Sequence, residues 1–105
     1  MHTQGIEKYN DVFLSALDVW GTDYQVDMMG EKCLKLAKEI LKRHRTHDGS
    51  CGESIRGEIA DVCIMMEQMM HVYGHKDIES MVDKKILRLK MKIDDCKSNA
   101  GNHAS

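Results

Sequence analysis

The stretch Ile55-Arg56-Gly57-Glu58-Ile59-Ala60-Asp61-Val62-Cys63-Ile64-Met65-Met66-Glu67-Gln68-Met69-Met70-His71-Val72-Tyr73 decides the architecture. Ile55, Ile59, Val62, Met66, Met69 and Tyr73 recur at steps of three and four, the rhythm of one helix face. Beside that stripe stand Cys63, Ile64, Met65 and Met70. This is more apolar surface than one small bundle covers, and surplus of this kind on a helical domain implies a partner helix. Glu58 and Asp61 lie one turn apart on a flank of the same helix, close enough to share a divalent cation.

Working outward, three further helices come into view. Residues 6–19 carry Tyr9, Val12, Phe13, Ala16 and Leu17 at helical spacing, and Gly21 breaks the run. Thr22 and Gln25 read as a capping box that opens a second helix to about residue 43. Its stripe is Val26, Met29, Cys33, Leu36 and Ile40. The polar stretch 44–52 contains the turn signal Asp48-Gly49-Ser50, and Ser50 with Glu53 forms a second capping box for the long helix. Gly74 ends that helix. Asp77 is a plausible N-cap for a last one, residues 78 to about 94, with Ile78, Val82, Ile86, Leu89 and Ile93 on its apolar side. The remainder, 97–105, is small and polar and is expected to fray. No segment has the period of a strand. The expectation is an all-α, four-helix domain occupying residues 1–105, its core about 6–94.

Bulk properties exclude several classes. A chain of 105 residues supports one modest core. A formal charge of −2 leaves no electrostatic footprint for nucleic acid or an anionic membrane. The polar N-terminus is no signal peptide, and no apolar run is long enough to span a bilayer, so a cytoplasmic protein is expected. The nine methionines do the filling that aromatics usually do, because aromatics are only 5% of the chain. Cys33, Cys51, Cys63 and Cys96 have no paired CxxC spacing. Cys33 and Cys63 fall on apolar helical positions and read as small buried hydrophobes. His44, His47 and Cys51 sit together but lack a fourth ligand at zinc-motif spacing, which favours a solvated loop.

Other residues invite chemistry. Glu31-Lys32-Cys33-Leu34-Lys35 opens toward the Glu58–Asp61 flank if the second and third helices pack antiparallel, which would bring positions 32 and 35 near 58 and 61. Glu31 falls nearly opposite the apolar stripe. Trp20, the single tryptophan, either stacks on a base or clamps the first two helices together. Lys84, Lys85 and Arg88 form a cationic group that either holds phosphate oxygens or is a solvated face paired with Asp83 or Glu79.

Trp20-Gly21 with Gln25, Glu31-Lys32-Cys33-Leu34-Lys35, Glu58-Ile59-Ala60-Asp61, the Met-rich run and Lys85-Ile86-Leu87-Arg88-Leu89 come in a particular order. Over residues 18 to 94 that order resembles the MazG-like all-α nucleoside triphosphate pyrophosphohydrolases, particularly the short single-domain members. The resemblance implies Mg²⁺-dependent cleavage of a (d)NTP to (d)NMP and diphosphate, in a homodimer or homotetramer. Family members hold the cation with two adjacent glutamates, a third three residues on, and Glu-x-x-Asp from the next helix. Glu31 matches the first glutamate, and Glu58 and Asp61 match the second motif, so these three are the implied catalytic and metal-binding residues. Trp20, Gln25, Lys85 and Arg88 are the implied substrate-binding residues. Lys32 and Lys35 stand where the second and third glutamates belong, and Gly57 where many members have another. Two lysines facing two carboxylates need no metal for neutrality. An ammonium group neither lowers the pKa of a water nor bridges phosphate oxygens by inner-sphere coordination. The alternative is a catalytically inactive nucleotide-binding or helical interaction module.

Overall fold

The computed structural model describes residues 5–45, 49 and 51–103, with side chains as far as residue 100. Every regular element among them is helical, and no strand occurs among the described residues. A 3-10 turn, Glu7–Tyr9, leads into α1 (Asn10–Trp20). The helices α2 (Thr22–Lys42) and α3 (Cys51–Tyr73) follow, and α4 runs over His75–His103. The described residues up to Gly74 make one compact unit, and those from His75 a second.

Within the first unit α2 packs chiefly on α3, and α1 touches both. The α2–α3 pair is an antiparallel hairpin. Lys32 lies ten residues before the end of α2 and Asp61 ten after the start of α3, and their side chains meet at 3.4 Å. The inward rows follow from burial. On α2, Gln25, Met29, Lys32, Leu36 and Glu39 are buried or half-buried at steps of four and three. On α3 the matching row is Cys51, Ile55, Glu58, Val62, Met65, Met69 and Val72.

Both rows sit one residue away from parts of the apolar stripes expected from the sequence. Cys33, expected to be buried, is exposed, as is Ile40, while Lys32 and Glu39 turn inward. On α3, Ile59 and Tyr73 are exposed while Met65 and Met70 are buried. The cause is geometric. The helix α3 carries neighbours on two sides, so its covered face lies between two apolar flanks instead of at the centre of one.

The core is small: Phe13, Cys51, Met65, Met69 and Met70 are the buried apolar residues, and no large side chain is fully enclosed. Phe13 is the aromatic anchor of α1. Unbranched methionine fills the irregular space left where three helices meet at unequal distances. Between the N-terminal turn, α1 and α3 runs an open apolar groove of about 550 Å³, lined by Tyr9, Val12, Ala16, Cys63 and Ile64 among others. Val12 and Ile64 remain exposed along it.

Helix ends depart from expectation. Gly21, at φ 89° and ψ 153°, is the N-cap of α2, and Thr22 is already inside the helix. The Gly21 N–H donates to the Leu17 carbonyl, and its own carbonyl accepts from the Gln25 N–H, so one residue closes α1 and opens α2. The expected Thr22–Gln25 capping box is absent: Thr22 is already inside the helix, and the Gln25 amide is spent on the Ala16 carbonyl. Asp77 is not the N-cap of α4, which begins two residues earlier, directly after Gly74 at φ 98°. The segment expected to fray from residue 97 continues as helix to His103, since no glycine or proline interrupts it before Gly101. Asp48, Ser50 and His47, the expected turn, cap and loop ligand, lie outside the described residues.

Two glycines should respond oppositely to alanine. The dihedrals of Gly21 fall in a region that is essentially glycine-only. No atom lies within 4 Å of an added Cβ there, so the strain is purely backbone. Gly21→Ala is expected to destabilise the fold by about 1–2 kcal/mol. Gly30 is inside α2, where an added Cβ also meets nothing within 4 Å, and Gly30→Ala is expected to stabilise it by about 1 kcal/mol. Urea midpoints of the two variants check both signs.

Candidate functional site: the corner between α2 and α3

The α2–α3 seam is apolar except where Gln25, Lys32 and Glu39 meet the inner face of α3, which itself carries Glu58. Lys32 is half-buried, its side chain 23% exposed, and its Nζ donates to Asp61 Oδ2 at 3.4 Å. Asp61 lies nearer the rim, at 43%. Glu58, one turn before Asp61, presents a different environment. Its Oε2 is fully buried and has no hydrogen-bond partner. The corner therefore holds one satisfied carboxylate and one carboxylate oxygen that is desolvated without compensation, a costly arrangement.

The other residues implied by the resemblance are distributed differently. Glu31 follows Gly30 on α2 and is exposed, and Lys35 is also exposed, with no ion pair among the described residues. Of the four positions 31, 32, 35 and 61, the structure joins only 32 and 61 directly. Trp20 closes α1 at 61% exposure, so it clamps nothing between α1 and α2. Gln25 is 4% exposed and spends its amide on the Ala16 carbonyl at 3.5 Å, tying α2 back to α1. Lys85 and Arg88 lie on α4, in the second unit, where with Leu89 and Lys92 they line a recess of about 260 Å³. No ion pair joins Lys84, Lys85 or Arg88 to Asp83 or Glu79 among the described residues.

Three polar residues in the first unit were not singled out by sequence reasoning. Glu67 and Gln68 are buried on α3, and His71 Nε2 stands 3.4 Å from Asn10 Oδ1, joining α3 to the start of α1. Gln68 Nε2 donates weakly to Met65 Sδ at 3.8 Å, while Gln68 Oε1 has no partner. Gln68 lies off the α3 row that meets α2 and lines the groove beside α1 with Phe13 and Ala16, a side of α3 that apolar spacing alone does not mark.

The donor set does not fit a resident Mg²⁺. No group of three or more His, Cys, Asp or Glu side chains that could hold a metal occurs among the described residues. Of the two carboxylates in the corner, Asp61 already carries an ammonium group where an oxygen ligand sphere would need to close. His44 belongs to the turn Arg43–Arg45 and Cys51 is buried at the start of α3, while His47 lies outside the described residues. No disulfide joins the cysteines among the described residues.

No protein-family model, curated protein or solved structure matches this chain.

Two substitutions in this corner should have opposite effects. Glu58→Leu removes a buried acceptor that lacks a partner and is expected to stabilise the fold by about 1 kcal/mol. Asp61→Leu strands the half-buried ammonium of Lys32 and is expected to destabilise it by about 0.5–1 kcal/mol, a modest figure because the pair is partly solvated. Chemical denaturation of both variants beside the parent decides this.

Proposed function

We propose that this chain is a MazG-like nucleoside triphosphate pyrophosphohydrolase in which Lys32 has taken over the place of the metal. Its fold serves the reaction (d)NTP + H₂O → (d)NMP + diphosphate, and the chain as it stands acts as a nucleotide-binding module with little turnover. The carrying observation is the ion pair between Lys32 and Asp61, beside the unsatisfied Glu58. A carboxylate left desolvated inside a helix seam is poor stability engineering and a common mark of a site shaped for something other than folding. Here the ammonium group neutralises Asp61, one of the two carboxylates that would otherwise call for a cation. It supplies charge without the ligand field that activates water.

In this reading Trp20 offers an exposed indole face for a base. Glu31, Glu58 and Asp61 are the carboxylates from which a metal site would be rebuilt. The partner is a nucleoside triphosphate, with no part for nucleic acid or membrane. No helix among the described residues is long and apolar enough to cross a bilayer.

Self-association belongs to the same proposal. The apolar groove of about 550 Å³ beside α3, together with exposed Ile59 and Ile64, leaves surface that a second copy would cover in a dimer or tetramer. Light scattering at micromolar concentration is expected to give a mass of at least twice 12.0 kDa, and a monomer mass would remove this part of the proposal.

Repair is the direct test of the site. Lys32→Glu together with Lys35→Glu should create a four-carboxylate corner with Glu58 and Asp61. Metal-dependent release of pyrophosphate from at least one dNTP should then rise well above the parent. Millimolar Mg²⁺ should raise the melting temperature of the double variant and leave the parent unchanged, because a ligand selective for the folded state stabilises it. The parent should bind a non-hydrolysable dNTP without Mg²⁺ in a calorimeter. A folded double variant with neither hydrolysis nor metal stabilisation defeats the pyrophosphohydrolase reading, and a parent that binds no nucleotide defeats the module.

A further inference from the structure

We infer that the outer part of α4 is a docking helix for a partner helix of acidic flank, forming a heterotypic coiled coil. From Val82 onward one row of apolar residues keeps strict alternating steps, Val82, Ile86, Leu89, Ile93, Cys96 and Ala100, while Leu87 and Met91 fall on the other side of the helix. Steps of four and three sustained over 19 residues define the two seam positions of a heptad, with Ile86, Ile93 and Ala100 at a and Val82, Leu89 and Cys96 at d. The helix carries that seam for about 28 Å at 1.5 Å per residue.

The seam is uncovered. Ile86, Leu89, Ile93, Cys96 and Ala100 are all exposed. Leu89, Ile93, Cys96 and Ala100 line one continuous depression of about 410 Å³ with Lys92 and Lys97 at its edge, the kind of hole into which a facing knob inserts. β-branched isoleucine at a with leucine at d favours two strands.

Charge decides the occupant. The positions flanking the seam are Lys85 and Lys92 at g and Asp83, Lys90 and Lys97 at e. In a parallel pair of α4 helices Lys85 would face Lys90 and Lys92 would face Lys97. In an antiparallel pair Lys85 would face Lys92 twice and Lys90 its own copy, three repulsions against two Asp83–Lys97 attractions. Either way lysine meets lysine, which sets the helix against its own copy. A helix with Glu or Asp at e and g converts each of these repulsions into a salt bridge. An anionic membrane suits the helix less well. Its apolar residues divide between the seam and, on the opposite side, Leu87 and Met91, instead of forming the single broad face of an interfacial helix, and Asp94 and Asp95 lie on the same stretch. The inference uses none of the α2–α3 corner, and it assigns Lys85 to the flank of the seam in place of the phosphate contact that the resemblance implies.

Two synthetic probe helices test it, with identical Ile/Leu seams over three heptads, one with Glu at every e and g position and the other with Lys. Fluorescence anisotropy with the full chain should show the Glu helix binding at least about tenfold more tightly than the Lys helix, more so as salt is lowered. The triple variant Lys90→Glu, Lys92→Glu, Lys97→Glu should reverse that preference. The variant Leu89→Asn, Ile93→Asn should abolish binding of the Glu helix while circular dichroism shows helicity retained. Equal affinity for both probes, binding of neither, or binding that survives loss of Leu89 and Ile93 overturns the inference. So does equally strong binding to phosphatidylserine vesicles in the same salt, which would assign the face to a membrane. A fall in the chain's own sedimentation mass on Leu89→Asn, Ile93→Asn also overturns it, by assigning the face to a second copy.

Discussion

The antiparallel packing of α2 on α3 is the constraint from which the rest of the first unit follows, and its register is held at one unusual point. A seam made only of apolar side chains tolerates sliding by a turn, since one Leu or Met replaces another at little cost. Lys32 does not slide. In a register slid toward Val62 and Met65 its half-buried ammonium would lose Asp61 and face apolar groups, a modest penalty because the pair is partly solvated. The ion pair thus works chiefly by penalising wrong alignments. Once the hairpin is set, Gly21 folds α1 back on it, and Gln25 and Phe13 fasten α1 in place.

Helix content was legible because it rests on periodicity, and apolar steps of three and four survive any uncertainty about neighbours. The ends were less so. At Gly21 the helix begins one residue earlier than the pattern Thr22–Gln25 signals, and the Gln25 amide reaches back to α1 instead of to a cap. Which face turns inward was legible only to within a residue. Periodicity scores Cys33 and Ile40 above Lys32 and Glu39 because it knows hydrophobicity alone. The actual face is set by where the adjoining helices lie, and long side chains such as Lys and Met span a one-residue offset that shorter ones do not.

The candidate corner was legible in part for the same reason. That positions 32 and 61 meet follows from helix periodicity and a short connection, both readable from the chain. That Glu58 would be left with a buried, unpartnered oxygen, and that Lys35 would point to solvent, depends on rotations of about one residue that no spacing rule resolves. Gln68 escaped for a related reason: it looks like a surface residue in any hydropathy profile, yet it is buried on the side of α3 that lines the groove beside α1.

Three of the five buried apolar side chains are methionines, and Met65, Met69 and Met70 cluster on two turns of α3. Thioethers adapt to imperfect space, which suits a chain with a single phenylalanine to anchor its interior. The same sulfurs are chemically soft. Conversion of one to its sulfoxide would place a polar S=O group in a core that offers it almost no donors, so oxidation would act here as a buried polar substitution made without any change in the gene. The packing that holds these helices together is therefore also the place where peroxide would take them apart, and methionine sulfoxide reduction would be needed to restore it.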